Sequence, residues 1–337
     1  VLLTLTLFLL SAGAIYVACE FFVNGVEWVG RHLNLGSTAT GTLLAAFGTA
    51  LPESAVTFVA VVFGRDAAQK DIGVGAALGG PLVLATIAYA VVGLALLLHR
   101  RRLGRTDTTI RVDYRRLSHD QAWFLGIFIV KVAAGLVAFA IKPWLGVLFL
   151  AAYAVYVWRE MRNDGAEEEE EELEPLKIRP KAANPTLGWA LLQTGAALVA
   201  IAFASHLFVG QLEAIGTALH MSPHLVALLL SPVATELPET MNALIWVRQG
   251  RERLALANIS GAMMIQATIP SALGLFFTPW LFDGSLIAAG ILTTVAVALL
   301  WLLFHRGKVG AQGLLPFVLL YGVFAVIVVM LKTSGAG

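Results

Sequence analysis

The chain has 337 residues, of which 58% are hydrophobic and 13% charged, and its mean hydropathy is +0.80. Soluble domains carry about 25% charged residues, so no single water-soluble core accounts for this composition and the bilayer must solvate most of the apolar surface. The formal net charge of +1 says nothing about nucleic acid, and no basic face that would bind it is seen, so no nucleic-acid partner is expected; a single cysteine, Cys19, excludes an internal disulfide or a zinc cluster.

Ten apolar stretches follow in chain order, at roughly 1–30, 37–63, 72–98, 121–141, 143–158, 186–216, 222–248, 254–276, 285–304 and 313–331. Most have the roughly 20 residues that a helix needs to cross the hydrocarbon core. Backbone polar groups in lipid must be paired within the segment, so helices are expected. The first stretch is too long, and lacks the basic leader, for a cleaved signal peptide. Placing the N-terminus outside puts eighteen lysines and arginines in inner loops against four outside, so both termini are expected outside. Between the fifth and sixth stretches lies the longest hydrophilic segment, with the acidic run Glu167 to Glu172 and then Glu174. It reads as a solvated linker extended by self-repulsion, with calcium sensing as the alternative. The basic segment from Arg100 to His119 reads as an anchor to anionic lipid headgroups.

The chain repeats itself. An offset of 186 lays Gly48-Thr49-Ala50-Leu51-Pro52-Glu53-Ser54 over Ala234-Thr235-Glu236-Leu237-Pro238-Glu239-Thr240, and Glu27 over Glu213. After a four-residue gap, Ile72 to Gly79 lies over Leu254 to Gly261. Each copy holds five stretches. Five is odd, so the second copy enters the membrane from the opposite side, an inverted-repeat construction known in secondary transporters. The expected fold is an all-α polytopic membrane protein of ten transmembrane helices in two inverted five-helix repeats. Its parts are 1–158, an acidic cytoplasmic linker at 159–185, and 186–337.

The repeated Thr-x-Leu-Pro-Glu has a chemical meaning. Proline removes a backbone donor and disturbs the helix. The freed carbonyls are tolerated only where protein or a cavity replaces lipid. Thr and Glu four apart share one helical face. Each copy thus offers a carboxylate, a hydroxyl and spare carbonyls at one depth, and hard cations take such oxygens. An intramembrane glutamate is costly unless compensated. A divalent ion, sodium ions or protons would compensate the facing pair Glu53 and Glu239, and mutual exclusion of these occupants is the core of antiport.

At these residues the chain resembles the sodium/calcium exchanger family of the calcium/cation antiporter superfamily. The resemblance implies ion ligands at Glu53, Thr49, Glu239 and Thr235, and alternating access by sliding of the first and sixth spans. It also implies roles for Asn258, which is kept, and for Gln266, which stands where Asp or Asn is usual. Departures from the family pattern are Ala50 and Glu236 for two serines, Gly75-Ala76 for Gly-Asn, Gly80-Pro81 for Ser-Asn, Leu84 for a polar residue, and Ala262-Met263 for Ser-Asn. They remove oxygens that seat sodium and add a third carboxylate, Glu236. Protons therefore become a counter-ion choice beside sodium, and manganese a cargo choice beside calcium.

The function expected is a secondary active antiporter exchanging a divalent cation, first Ca2+, for Na+ or H+. A monomer is sufficient for it, it uses no cofactor, and it resides in a bacterial or archaeal cell membrane. The alternative is a cation channel with a glutamate-lined pore, although channels usually build their filter by oligomerisation. No His-Glu-x-x-His pair or Ser/His dyad points to an enzyme. A polar stripe of Glu20, Asn24 and Glu27, matched by His206 and Glu213, reads either as a second ion path or as a polar seam. Lys131, inside the fourth stretch, either pairs with a stripe carboxylate or reaches water. Trp28, Trp144 and Trp301 lie near span ends and read as interface anchors.

Overall fold

The computed structural model describes residues 2–33, 37–138, 140–163 and 173–333. It is helical throughout, and among the described residues no strand forms beyond one isolated bridge between Thr109 and Gly310. The acidic run Glu167 to Glu172 lies outside the described residues.

In chain order the helices are α1 (Leu2–His32), α2 (Ser37–Phe63), α3 (Ala67–Val83), α4 (Tyr89–His99), α5 (Tyr114–Leu136) and α6 (Leu145–Asn163). They continue as α7 (Leu187–Leu219), α8 (Pro223–Thr235), α9 (Leu237–Arg248), α10 (Glu252–Phe277), α11 (Gly284–His305) and α12 (Phe317–Thr333). A π-helical turn, Leu84–Ala88, joins α3 to α4 just after Pro81, whose missing amide breaks the regular ladder. Among the described residues six helical segments are long and apolar enough to cross a membrane: Leu2–His32, Ala67–His99, Leu187–Leu219, Glu252–Phe277, Gly284–His305 and Ala311–Leu331. Shorter apolar helices occur at Ala50–Phe63 and Pro223–Pro232.

Several boundaries differ from the apolar pattern, the start of α5 by the most. Helix α5 starts seven residues before the fourth apolar stretch, because the Asp113 carboxylate accepts from the Arg115 and Arg116 amides and caps it. The basic segment before it is not a free lipid anchor along its whole length. Arg105 is buried in an ion pair with Glu252 of α10, and the Ile110 amide donates to the Val309 carbonyl at 2.9 Å.

Four helix pairs form the frame. Helices α1 and α7 pack along their length, with Phe8 stacked on Phe208 at 4.9 Å and Gly25 against Thr194. Their 31 and 33 residues span about 46–50 Å at 1.5 Å per residue, longer than a hydrocarbon core of about 30 Å. Their other faces expose Leu9, Leu10, Val199 and Phe203. Helix α3 lies against α8 through Gly75 and Gly79: a Cβ on Gly79 would sit 2.7 Å from the Leu228 carbonyl oxygen, and one on Gly75 closer still to that of His224. Small residues four apart let two backbones approach in this way. Helix α2 packs on α10, and α5 on α11. Helices α3 and α10 are buried over most of their length, which puts them and their partners around the centre of the bundle.

Candidate ion-binding site

The two copies of the repeated motif fold differently. Helix α2 runs unbroken through Pro52, so Glu53 projects from mid-helix. In the second copy Pro232 and Pro238 flank a break at Glu236, where α8 ends and α9 begins. Two amides are missing within seven residues there, against one in α2. Glu239 consequently lies in the first turn of α9, where the helix dipole favours a negative charge.

Glu53, Glu236 and Glu239 are each at most 1% exposed. The carboxyls of Glu53 and Glu236 lie within hydrogen-bonding reach of each other, and Glu239 is near enough to interact electrostatically with both. Glu236 is well supplied with donors, from Gln266 Nε2 at 2.8 Å and Thr235 Oγ1 at 3.0 Å. Among the described residues no donor reaches the four carboxylate oxygens of Glu53 and Glu239. Buried oxygens of this kind are costly unless something supplies positive charge.

Gly80 makes room for Glu53. A Cβ built on Gly80 would lie 2.7 Å from the Glu53 Cδ and nearer still to Oε2. The departure from serine therefore does more than delete a hydroxyl: it creates the space that the Glu53 carboxyl fills. Nothing in the residue type alone shows this.

The structure thus brings together Glu53, Glu239, Glu236, Thr235 and Gln266. The Thr49 side chain lies outside the described residues. Asn258 is separate: it stands eight residues before Gln266 on α10, about 12 Å along the axis, with a buried Nδ2 that has no partner. Among the described residues no three acidic, imidazole or thiol side chains form a closed metal cage. A hard cation here would complete its shell with carbonyls and water.

Lys131 pairs with no stripe carboxylate. It is fully buried, and its Nζ donates to the carbonyls of Ala77 at 2.7 Å and Gln266 at 3.2 Å. The polar stripe has several partners, and Glu20 and Asn24 share Lys177. Asn24 is buried and seats the end of the linker: its Nδ2 donates to the Glu174 carbonyl at 3.3 Å, and its Oδ1 accepts from the Lys177 amide at 3.0 Å. Glu20 pairs with Lys177 at 3.3 Å, while Glu213 accepts from Gln69 at 2.9 Å and His206 is exposed. Trp28, expected at the membrane interface, is buried and donates to the Glu174 carbonyl at 3.0 Å. An indole N–H needs a partner when buried, and the linker backbone provides it. Trp144 is 73% exposed, as an interface residue should be.

The family model for "Sodium/calcium exchanger protein" matches residues 3–161 and 189–330. The chain belongs to this family. The two matched segments flank the linker that separates the two copies of the motif. An uncharacterized membrane protein of Methanocaldococcus jannaschii is 25% identical over 316 residues, covering 93% of this chain and 94% of the relative. Among solved structures, an H+/Ca2+ exchanger, CAX, superposes with a TM-score of 0.72 at 17% identity, over 97% of this chain and 86% of that one. The sodium-calcium exchanger NCX_Mj superposes with a TM-score of 0.59 at 23% identity, over 96% and 98%. At these identities the two structures speak for the fold, and the family match speaks for a cation exchanger in the membrane.

Proposed function

We propose that this protein is a secondary active antiporter that exchanges a divalent cation, Ca2+ first among them, for Na+ or H+ by alternating access. The observation that carries the reading is the pair Glu53 and Glu239. Their four carboxylate oxygens are buried at the centre of the bundle with no donor among the described residues, beside a third carboxyl, Glu236. Such a cluster is stable only with cations in attendance. A divalent ion and monovalent ions that compete for it give exchange.

The packing supports an inverted repeat of two five-helix halves, 1–158 and 186–337. Exchanging each element for its counterpart maps the α3–α8 contact onto the α10–α2 contact, and maps α1–α7 and α5–α11 onto themselves. A pseudo-two-fold axis in the membrane plane has this consequence. Helices α1 and α7, packed on each other and joined by residues 174–178, would slide as one unit past the site. The lysine and arginine distribution places both termini outside. Burial of the cluster from solvent favours this reading over an open channel.

The test is uptake of labelled calcium into proteoliposomes under imposed sodium or proton gradients. Saturable uptake that requires a counter-ion is expected. Uptake that proceeds without any counter-ion would favour the channel.

A further inference from the structure

Two exposed apolar stripes end on two arginines. Helices α4 and α9 pack on each other. On α9, Leu237, Met241 and Ile245 recur every four residues and are exposed, and Arg248 and Gln249 follow at its end. On α4, Leu94 and Leu98 are exposed one turn apart, and Arg102 follows just past its end. Residues four apart share a helix face, so each stripe runs along the outside of the bundle into an arginine. The stripes converge: Arg102, Arg248, Ile245 and Gln249 line one cleft of about 280 Å³.

Both arginines are exposed and free to take a ligand. Among the described residues neither guanidinium has a hydrogen-bond or ion-pair partner. Arg105, three residues after Arg102, is by contrast already paired with Glu252, so that buried carboxylate is neutralised without them. A guanidinium stays charged, and its planar fork matches a phosphate. Apolar stripes that lead up to the fork suit acyl chains, and basic pockets between membrane helices take anionic headgroups.

We infer that this cleft binds the phosphate of an anionic phospholipid whose acyl chains lie along the α4 and α9 stripes. In the orientation proposed above this lipid belongs to the inner leaflet. It holds the far end of α9, the half-helix whose first turn carries Glu239, nine residues and about 13 Å along the axis from Arg248.

The experiment titrates the purified protein in detergent with phosphatidylglycerol, with phosphatidylcholine and with glycerol 3-phosphate, and reads bound lipid by native mass spectrometry. Transport is not measured, so the outcome is independent of the antiporter reading. The parent should retain phosphatidylglycerol in preference to phosphatidylcholine, whose choline charge opposes two arginines, and glycerol 3-phosphate should not displace it. Arg102→Gln and Arg248→Gln should each weaken the affinity at least about tenfold, the loss expected for a hydrogen bond between charged groups. Arg101→Gln and Arg251→Gln remove the same charge from exposed neighbours that do not line the cleft. They should cost less than about fivefold, the scale of general attraction to an anionic surface. Equal losses in all four variants overturn the inference and leave a diffuse basic surface. Equal retention of the two lipids by the parent overturns it without any variant, and displacement by glycerol 3-phosphate makes the cleft a site for soluble anions instead of lipid.

Discussion

The two copies of Thr-x-Leu-Pro-Glu carry the same carboxylate and stabilise it by different means. Glu239 sits at the start of α9, at the positive end of a half-helix created by the break at Glu236. Glu53 sits in the middle of the unbroken α2 and has no helix end. It has instead the space left by Gly80 and the nearby charge of Lys131. At the position matched to Gly80 on α10 stands Ala262, which has a Cβ. The repeated motif thus supplies a matched pair of carboxylates, while the compensation around each differs. The lesson is that the motif specifies where the carboxylates are, and the neighbouring helices specify what they cost.

The largest expected effect comes from removing either charge. Glu53→Gln and Glu239→Gln should each lower divalent transport by at least about 100-fold, as loss of one charge from a buried ionic pair costs about 3–5 kcal/mol. Both variants should fold, since neither carboxylate holds a protein donor. Near-normal uptake by either purified variant would break the equivalence of the two copies. Next comes the space that only the first copy has. Gly80→Ser, which restores the family residue, should displace the Glu53 carboxyl and lower transport roughly tenfold, within the range of about 1–3 kcal/mol for overpacking. Ala262→Ser on the second side should do much less. Equal effects would show that Gly80 is not a seat for Glu53.

Much of this was legible in the chain. The two motif copies, the helical class and the membrane setting follow from hydropathy and from one offset. The grouping of Glu53, Glu236, Thr235 and Glu239 follows from the two copies of the motif, and Gln266 from the family resemblance. Lys131 was visible as an anomaly, but its partners are backbone carbonyls freed by Pro81 and Pro270, on helices remote in sequence. No residue type announces a carbonyl acceptor. For the same reason the stripe at Glu20 and Asn24 was ambiguous, because its partner is the backbone of the linker at Glu174 and Lys177.

A smaller effect sharpens the asymmetry at Glu236, which only the second copy has; the first carries Ala50 there. Three carboxyls close together are relieved by protons when no divalent ion is present, so divalent ion and proton should compete, and binding should weaken as pH falls. Glu236→Ser should flatten that dependence, read as divalent affinity against pH for the purified protein. Coincident curves for the parent and the variant would place Glu236 outside the exchange.

The smallest effect concerns the N-terminal end of α8, the first half of the broken helix. His224 there lies between Asp71 of α3, at 3.3 Å, and Asp283, the cap of α11, at 3.1 Å. The first copy has Thr38 at the matched position, which cannot bridge two carboxylates through two ring nitrogens. A helix interrupted in its middle is thus fastened at its end. Burial would raise the Asp283 pKa, but hydrogen bonds from His224, Ser285 and the Leu286 amide outweigh it and hold the group at about 2, below its ordinary 3.8. A depressed carboxylate pKa stabilises the fold above the unfolded-state value, and this stability is lost as pH falls through the folded value. The contribution is therefore present at neutral pH and disappears between about pH 4 and pH 2. The Asp283 side chain is 28% exposed, so solvent screening reduces it to about 1–2 kcal/mol. Asp283→Asn should lower the thermal midpoint in detergent at pH 7 and leave less to lose on acidification to pH 2.5. If parent and variant unfold alike at both pH values, the tether contributes nothing and α8 is held by its packing on neighbouring helices, chiefly α3.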